Sequence, residues 1–238
     1  MSVRTRLDQF TPRPKWVRSF LTYFALLLGI IIARIIVRGR HHLPKDGPFI
    51  LAVNHFNYAD GPFIVCAVRR PISFIVASDQ AVQWFNYWAP WLYGFIPANR
   101  IRLAPSTIKS SKKALLAKEI IGIFPEGTSL SNELRSPKGG VMFLSTMMRV
   151  PIVPVGINGN IGNIWSFISQ GVRPKIRINI GKPFGPYSLP KDRSQKKAKL
   201  GIIGDRVMCR IAALLPDECH GVYSGDPSIE EYRSQNKL

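Results

Sequence analysis

Two residues early in the chain could do acid–base chemistry together. His55 and Asp60 stand five apart in "LAVNHFNYADGPF", residues 51–63, and the chain has only four histidines. If the loop between them folds back, the Asp60 carboxylate accepts a hydrogen bond from Nδ1–H of His55. Nε2 is then left facing outward as a base. This is the half of a catalytic triad in which an acid orients a base. No serine is required where the substrate itself supplies the hydroxyl. The competing reading makes Asp60 a helix cap and His55 the partner of a loop carbonyl. On H-x4-D alone, a weak pattern, this second reading wins.

Three further stretches carry chemistry-bearing types. "IFPEGTSLS", 123–131, follows an apolar run and places Glu126 beside Gly127. Glycine lets backbone approach a ligand closely, and its N–H groups could hold an oxyanion or a phosphate. The plainer alternative is a turn punctuated by Pro125 and Gly127. "YGFIPANRIR", 93–102, ends in Arg100 and Arg102. Arginine suits bidentate phosphate recognition, although a solvated basic loop explains them equally. "VPIVPV", 150–155, carries Pro151 and Pro154 in a strand-like run, which marks an edge, a strand start or a bend.

These residues need elements to position them. Short apolar runs at 49–53, 72–77, 119–124 and 151–157 read as buried strands. Residues 175–181 alternate with Ile176, Ile178 and Ile180 on one face, as in a half-buried strand. Helices are expected at 61–70, 80–92, 105–118 and 139–149. At 194–215 an amphipathic helix is marked by Leu200, Ile203, Val207, Ile211 and Leu214. The tail after Pro216 reads as irregular. Strand–helix alternation with near-continuous apolar strands argues an α/β fold. Its sheet is mostly parallel and flanked by helices, with sites at the carboxyl ends of strands. His55 and Glu126 both fall just past such ends.

Residues 1–40 read as a basic tail and a membrane-associated apolar helix, and 41–238 as the catalytic-looking domain. The uncharged stretch 20–33 is shorter than the ~20 residues a bilayer span needs. Counting on through 37 would span if Arg34 snorkels. Basic residues flank both ends: Arg4, Arg6, Arg13, Lys15 and Arg18 before, Arg34, Arg38 and Arg40 after. Two basic flanks suit a segment dipped into one leaflet from the cytoplasmic face rather than one crossing it. A secretory signal is the rival, but no small-x-small cleavage site follows.

The net charge is +19, so partners are expected to be anionic. Charge alone does not specify nucleic acid, and no aromatic-basic recognition signature is present. With 46% hydrophobic and 20% charged residues, disorder is excluded. Cys66, Cys209 and Cys219 fit neither a disulfide framework nor a zinc site, and His41–His42 has no companions at ligand spacing. No metal is expected. The aromatics Trp84, Phe85, Tyr87, Trp88, Trp91 and Tyr93 suit either headgroup level or an aromatic core. Lys196, Lys197, Lys199, Arg206 and Arg210 read as a solvated helix face.

Taken in order, N-H-x4-D, G-F-I-x-x-x-R, F-P-E-G-T and V-P-I-V-P-V resemble the four-motif series of the glycerolipid acyltransferases. The bacterial 1-acyl-glycerol-3-phosphate acyltransferases are the nearest type by length, and the resemblance runs from about residue 38 to 185. It implies that His55 deprotonates an acceptor hydroxyl and Asp60 orients it. It implies that Arg100 grips the acceptor's phosphate, with Glu126, Gly127 and Thr128 shaping the acceptor site. Pro151 and Pro154 would lie on the acyl-donor side. The co-substrate would be acyl-CoA or acyl-carrier protein, with no cofactor and no acyl-enzyme. The acceptor would be a membrane lysophospholipid, and the product phosphatidic acid. Two positions depart from the pattern. Asn57 stands where serine is frequent, and Ser129 where arginine is usual; Arg135 or Lys138 are the candidates to replace that charge. The departure at Ser129 keeps a different lysolipid or glycolipid acceptor open. A non-catalytic basic protein that binds membrane or nucleic acid is the alternative from another class.

Overall fold

In the computed structural model, residues 11–78, 88–99, 104–127, 131–159 and 164–237 are described. The chain runs α1 (Lys15–Ile32), β1 (Arg34–Arg38), β2 (Ile50–Val53), α2 (Asp60–Val68), β3 (Ile72–Ala77), α3 (Trp88–Tyr93), β4 (Ile96–Ala98) and α4 (Pro105–Leu116). It continues with β5 (Ile120–Ile123), α5 (Gly140–Met148), β6 (Ile152–Gly159), α6 (Ile164–Ser169), β7 (Lys175–Ile180), α7 (Arg193–Ala212) and α8 (Ser228–Asn236).

The strands form one seven-stranded sheet in the order β1-β7-β6-β2-β5-β3-β4. Every neighbouring pair is parallel except β6–β7. The α/β fold expected from the sequence, a mostly parallel sheet flanked by helices, is therefore present. All four residues of β2 and of β5 are buried, because the sheet is covered on both faces. Ile50, Ala52, Ile121 and Ile123 meet residues of α4, α5 and α7 on one face. Leu51 and Val53 meet α2 and the end of α1 on the other.

Two expectations need correction. The apolar run 20–37 is not one helix. α1 ends at Ile32, Ala33 is extended, and residues 34–38 form β1, paired parallel with β7 from Arg34↔Lys175 to Arg38↔Asn179. Ile35, Ile36 and Val37 are β-branched and favour a pleated, half-buried surface over a helix end. The sheet thus begins before residue 40. The tail after Pro216 is not irregular either. It holds short 3-10 turns at Asp217–Cys219 and Gly221–Tyr223, then α8. Ile229 of α8 is buried, and Arg210 of α7 lies between the rings of Phe184 and Tyr232, 4.6 and 4.0 Å from their centroids.

α1 is docked along its length. Arg18, Thr22 and Gly29 are buried, and the Ala25 carbonyl accepts from Cys66 Sγ at 3.2 Å, which makes one inner stripe. The Arg18 guanidinium donates to Ser73 Oγ and to Glu119 Oε2, both at 2.9 Å. The opposite stripe is bare: Trp16, Phe20, Tyr23, Leu27 and Ile31 are each more than half exposed. By length and composition alone, α1 could also cross a membrane.

Candidate active site

β2 and β5 lie side by side and parallel, with Ala52 opposite Ile123. The chain leaves both strands at their carboxyl ends, on the same side of the sheet, and three residues on from that pair stand His55 and Glu126. The register therefore brings these two loops together. His55 N donates to Glu126 Oε1 at 3.0 Å, which ties one loop to the other.

Asp60 is the first residue of α2, but it does not serve as an ordinary cap. Its Oδ2 accepts from the backbone N–H of Phe56 at 2.9 Å and of Asn57 at 2.8 Å, and from His55 Nδ1 at 3.0 Å. A carboxylate only accepts, so Nδ1 carries the proton and Nε2 is the nitrogen left for a substrate. Asp60 Oδ1 is buried without a hydrogen bond. One oxygen's donors alone meet the carboxylate's charge, so a positive charge forming on His55 is welcome there. The His55 ring stacks on Phe124 at 4.1 Å between centroids, and Phe124 stacks on Phe74 at 6.0 Å. Packing and hydrogen bonding together leave the imidazole one orientation.

Asn54, one residue before the histidine, is fully buried. Its amide donates to the Ile157 carbonyl at 2.9 Å and accepts from the Ile157 N–H at 2.7 Å. This clips the end of β2 to β6. Asn57, in place of the more frequent serine, accepts from Ala59 N at 3.2 Å and closes the turn into α2. Residue type and spacing alone assign no role to Asn54 or Phe124. Both lie inside the motifs, as the N of N-H-x4-D and the F of F-P-E-G-T, and that was the available signal.

Glu126 is buried, and both of its oxygens accept backbone N–H: His55 on Oε1, Arg135 on Oε2 at 3.2 Å. Burial pushes its carboxyl up to about 7, against the pull of those two amides and of the Arg135 charge. The structure thus gives Glu126 the work of joining two loops, while the resemblance gave it the acceptor. Gly127 follows with φ +71°, a left-handed conformation that glycine adopts without strain. Lys138 N donates to the Pro125 carbonyl at 2.8 Å, and its exposed side chain runs past Gly127.

His55, Asp60, Glu126, Gly127, Arg135 and Lys138 are therefore brought together. Arg100 and Thr128 lie outside the described residues, as do Arg102, Ser129, Trp84, Phe85 and Tyr87. Pro151 and Pro154 are not brought to His55. Pro154 is level with Ala52 in the β2–β6 register, roughly 10 Å back along the strand direction, and Pro151 is further still. Pro154 falls between the Ile152↔Phe184 bridge and the Val155↔Ile180 pair, where the partner strand is one residue longer. A proline is tolerated at such a bulge even within an interior strand. Of the aromatic group, Trp91 is exposed beneath Arg13, while Tyr93 packs near Phe74 and its hydroxyl accepts from Ile72 N.

An oriented histidine base beside a glycine turn at parallel strand ends fits transfer of a group to a substrate hydroxyl. Comparison with known proteins agrees. The 1-acyl-sn-glycerol-3-phosphate acyltransferase of Bacillus subtilis is 28% identical over 149 residues, covering 62% of this chain and 72% of that protein. The human 1-acyl-sn-glycerol-3-phosphate acyltransferase alpha is 31% identical over 147 residues, 59% of this chain and half of its own length. The fold is similar to the crystal structure of the 1-acyl-sn-glycerophosphate (LPA) acyltransferase PlsC from Thermotoga maritima, with a TM-score of 0.54 at 20% identity. That likeness covers 79% of this chain and 78% of the other. The sequence profile of the family described as Acyltransferase matches residues 34–158, more than half of the chain and both loops of the site. On this match the chain belongs to the Acyltransferase family.

Proposed function

We propose that the protein moves a fatty acyl group from an acyl thioester, acyl-CoA or acyl-carrier protein, to the free hydroxyl of a lysophospholipid. The acceptor this reading favours is 1-acyl-glycerol-3-phosphate, and the product is phosphatidic acid. The observation that carries the mechanism is the 3.0 Å contact between His55 Nδ1 and Asp60 Oδ2. The acceptor hydroxyl binds at Nε2. As its oxygen attacks the thioester carbonyl, the proton passes to Nε2, and Asp60 stabilises the imidazolium. Backbone N–H groups or nearby polar groups steady the tetrahedral oxyanion. The thiolate leaves and takes the proton back from His55. The atoms balance without an acyl-enzyme.

α1 supports a membrane placement. Its inner stripe is fastened to the domain from Arg18 to Gly29, so the helix lies flat and its bare apolar stripe enters one leaflet from the cytoplasmic face. Lys and Arg near an anionic surface contribute about 1 kcal/mol each.

The test is an acyl-transfer assay on purified protein in mixed micelles, following thiol release. Donors are acyl-CoA and acyl-carrier protein; acceptors are lysophosphatidic acid, neutral lysolipids and glycolipids. Turnover with lysophosphatidic acid, lost in His55→Ala, supports the proposal. Turnover only with another acceptor shifts the reading to the one Ser129 motivates. Full activity in His55→Ala rejects the mechanism.

A further inference from the structure

One edge of the Arg135 guanidinium is unpaired. Nε and Nη2 are both buried, and neither donates a hydrogen bond. These two nitrogens share one edge of the planar group, and their N–H bonds point side by side. That edge is the fork that takes two oxygens of one phosphate or carboxylate. Buried charged donors without an acceptor cost stability, and such a cost is recovered when a ligand supplies the acceptor.

The position is set by the site itself. Arg135 N donates to Glu126 Oε2, the carboxylate whose other oxygen holds the His55 amide. The charge of Arg135 also acts on Glu126, which puts the guanidinium within its field. Glu126 directs its oxygens at the two backbone amides, so it does not fill the fork. Lys138, the other cation of this loop, is exposed, and a hydrated ammonium discriminates little between anions.

We propose that Arg135 is the specificity-determining residue for the acceptor, taking a phosphate monoester through Nε and Nη2. This rests on the acyl-transfer reading above. The edge is closed to water in this structure, while the residue as a whole is partly exposed, so the headgroup is met by a change of rotamer. Glu126 then has a double consequence. One buried carboxylate fixes the backbone of the base and the backbone of the headgroup-reading residue.

A phosphate monoester also occurs on the nucleotide part of coenzyme A, so the experiment separates the two sources. Kinetics are measured on full-length protein and on Arg135→Ala and Arg135→Lys, in mixed micelles. Acceptors are lysophosphatidic acid and monoacylglycerol; donors are acyl-CoA and acyl-pantetheine, which lacks phosphate. Arg135→Ala is expected to raise KM for lysophosphatidic acid ten- to a hundredfold. The ratio of kcat/KM between the two acceptors falls by the same factor. Arg135→Lys, which keeps charge without the fork, recovers only part. Where monoacylglycerol gives no rate, inhibition by glycerol 3-phosphate supplies the comparison and weakens at least tenfold in the variants. Should Arg135→Ala fail to fold, Arg135→Lys carries the same comparisons.

An unchanged acceptor ratio overturns the proposal, and so does an unchanged inhibition constant. An equal loss on both acceptors marks a structural role and overturns it too. A loss confined to acyl-CoA assigns the fork to the donor and also overturns it. A wild-type protein inactive on lysophosphatidic acid overturns the acyl-transfer reading, and this proposal falls with it. An active wild type matched by Arg135→Ala overturns this proposal alone.

Discussion

Replacing Asp60 by Asn tests the mechanism most directly, because the change is nearly isosteric and removes only a charge. The amide oxygen of Asn can still accept the N–H groups of Phe56 and Asn57, so the loop that carries His55 keeps its shape. What is lost is the attraction between a carboxylate and the imidazolium formed during proton transfer, at a separation of 3.0 Å. With an effective dielectric constant near 20, that attraction is about 5 kcal/mol. His55 is 19% exposed, so solvent screens part of it, and roughly 3–5 kcal/mol remains. The barrier rises by that amount, and kcat falls roughly 10²- to 10⁴-fold. KM for the acceptor changes little, because the charge forms only on the way to the transition state. The assay is steady-state acyl transfer at saturating donor, with a thermal melt to show that the variant is folded. His55→Ala should lose at least as much, and the double variant should lose no more than His55→Ala. A folded Asp60→Asn protein with kcat within about threefold of wild type would refute the reasoning. So would a loss expressed only in KM.

Glu126→Gln changes how stability depends on pH. The folded-state carboxyl is raised from 4.5 to about 7, so folded protein holds the proton more tightly than unfolded protein does. This group's stabilisation is complete below pH 4.5 and is lost as pH rises through 7, by roughly 3 kcal/mol in all. Urea melts at pH 4.5, 6 and 8 should show this component in wild type and not in Glu126→Gln. Arg18→Ala strips the cation from Glu119 and Ser73 at the base of α1, and should destabilise the fold by about 3 kcal/mol in the same melts. Phe20→Asp with Leu27→Asp removes two exposed apolar residues of α1 that each gain about 1.5–3 kcal/mol on leaving water. Partition onto vesicles containing anionic lipid should fall at least a hundredfold, and unchanged flotation would remove α1 from the membrane contact.

The sequence shows the strands where both faces of the sheet are covered, because Ile50, Leu51, Ala52 and Val53 can only be an apolar run. It hides β1, because Ile35–Ile36–Val37 continues the apolar run of the preceding helix, and only β-branching marks the change. It hides α8, whose anchors Ile229, Tyr232 and Asn236 are spaced for a helix but sit among polar residues. His55 and Asp60 are legible as a pair, since one five-residue spacing holds both. Glu126 is legible as present and not as a clamp, because its partners are backbone N–H groups of His55 and Arg135, and backbone amides have no letter in the sequence. Arg135 lies nine residues beyond Glu126 on an irregular segment, and its open fork exists only as packing.

The fastening of α1 also sets an order of events during synthesis. Its apolar stripe leaves the ribosome before the residues that fasten it: Glu119, the carboxylate that Arg18 needs, follows 101 residues later. At ordinary translation speed that interval is roughly 5–20 s. β1 waits longer, since its hydrogen-bonded neighbour β7 begins only at Lys175. The lipid-seeking element thus emerges well before the carboxylate that locks it in place. A nascent chain can meet the bilayer before it has an active site to bring there.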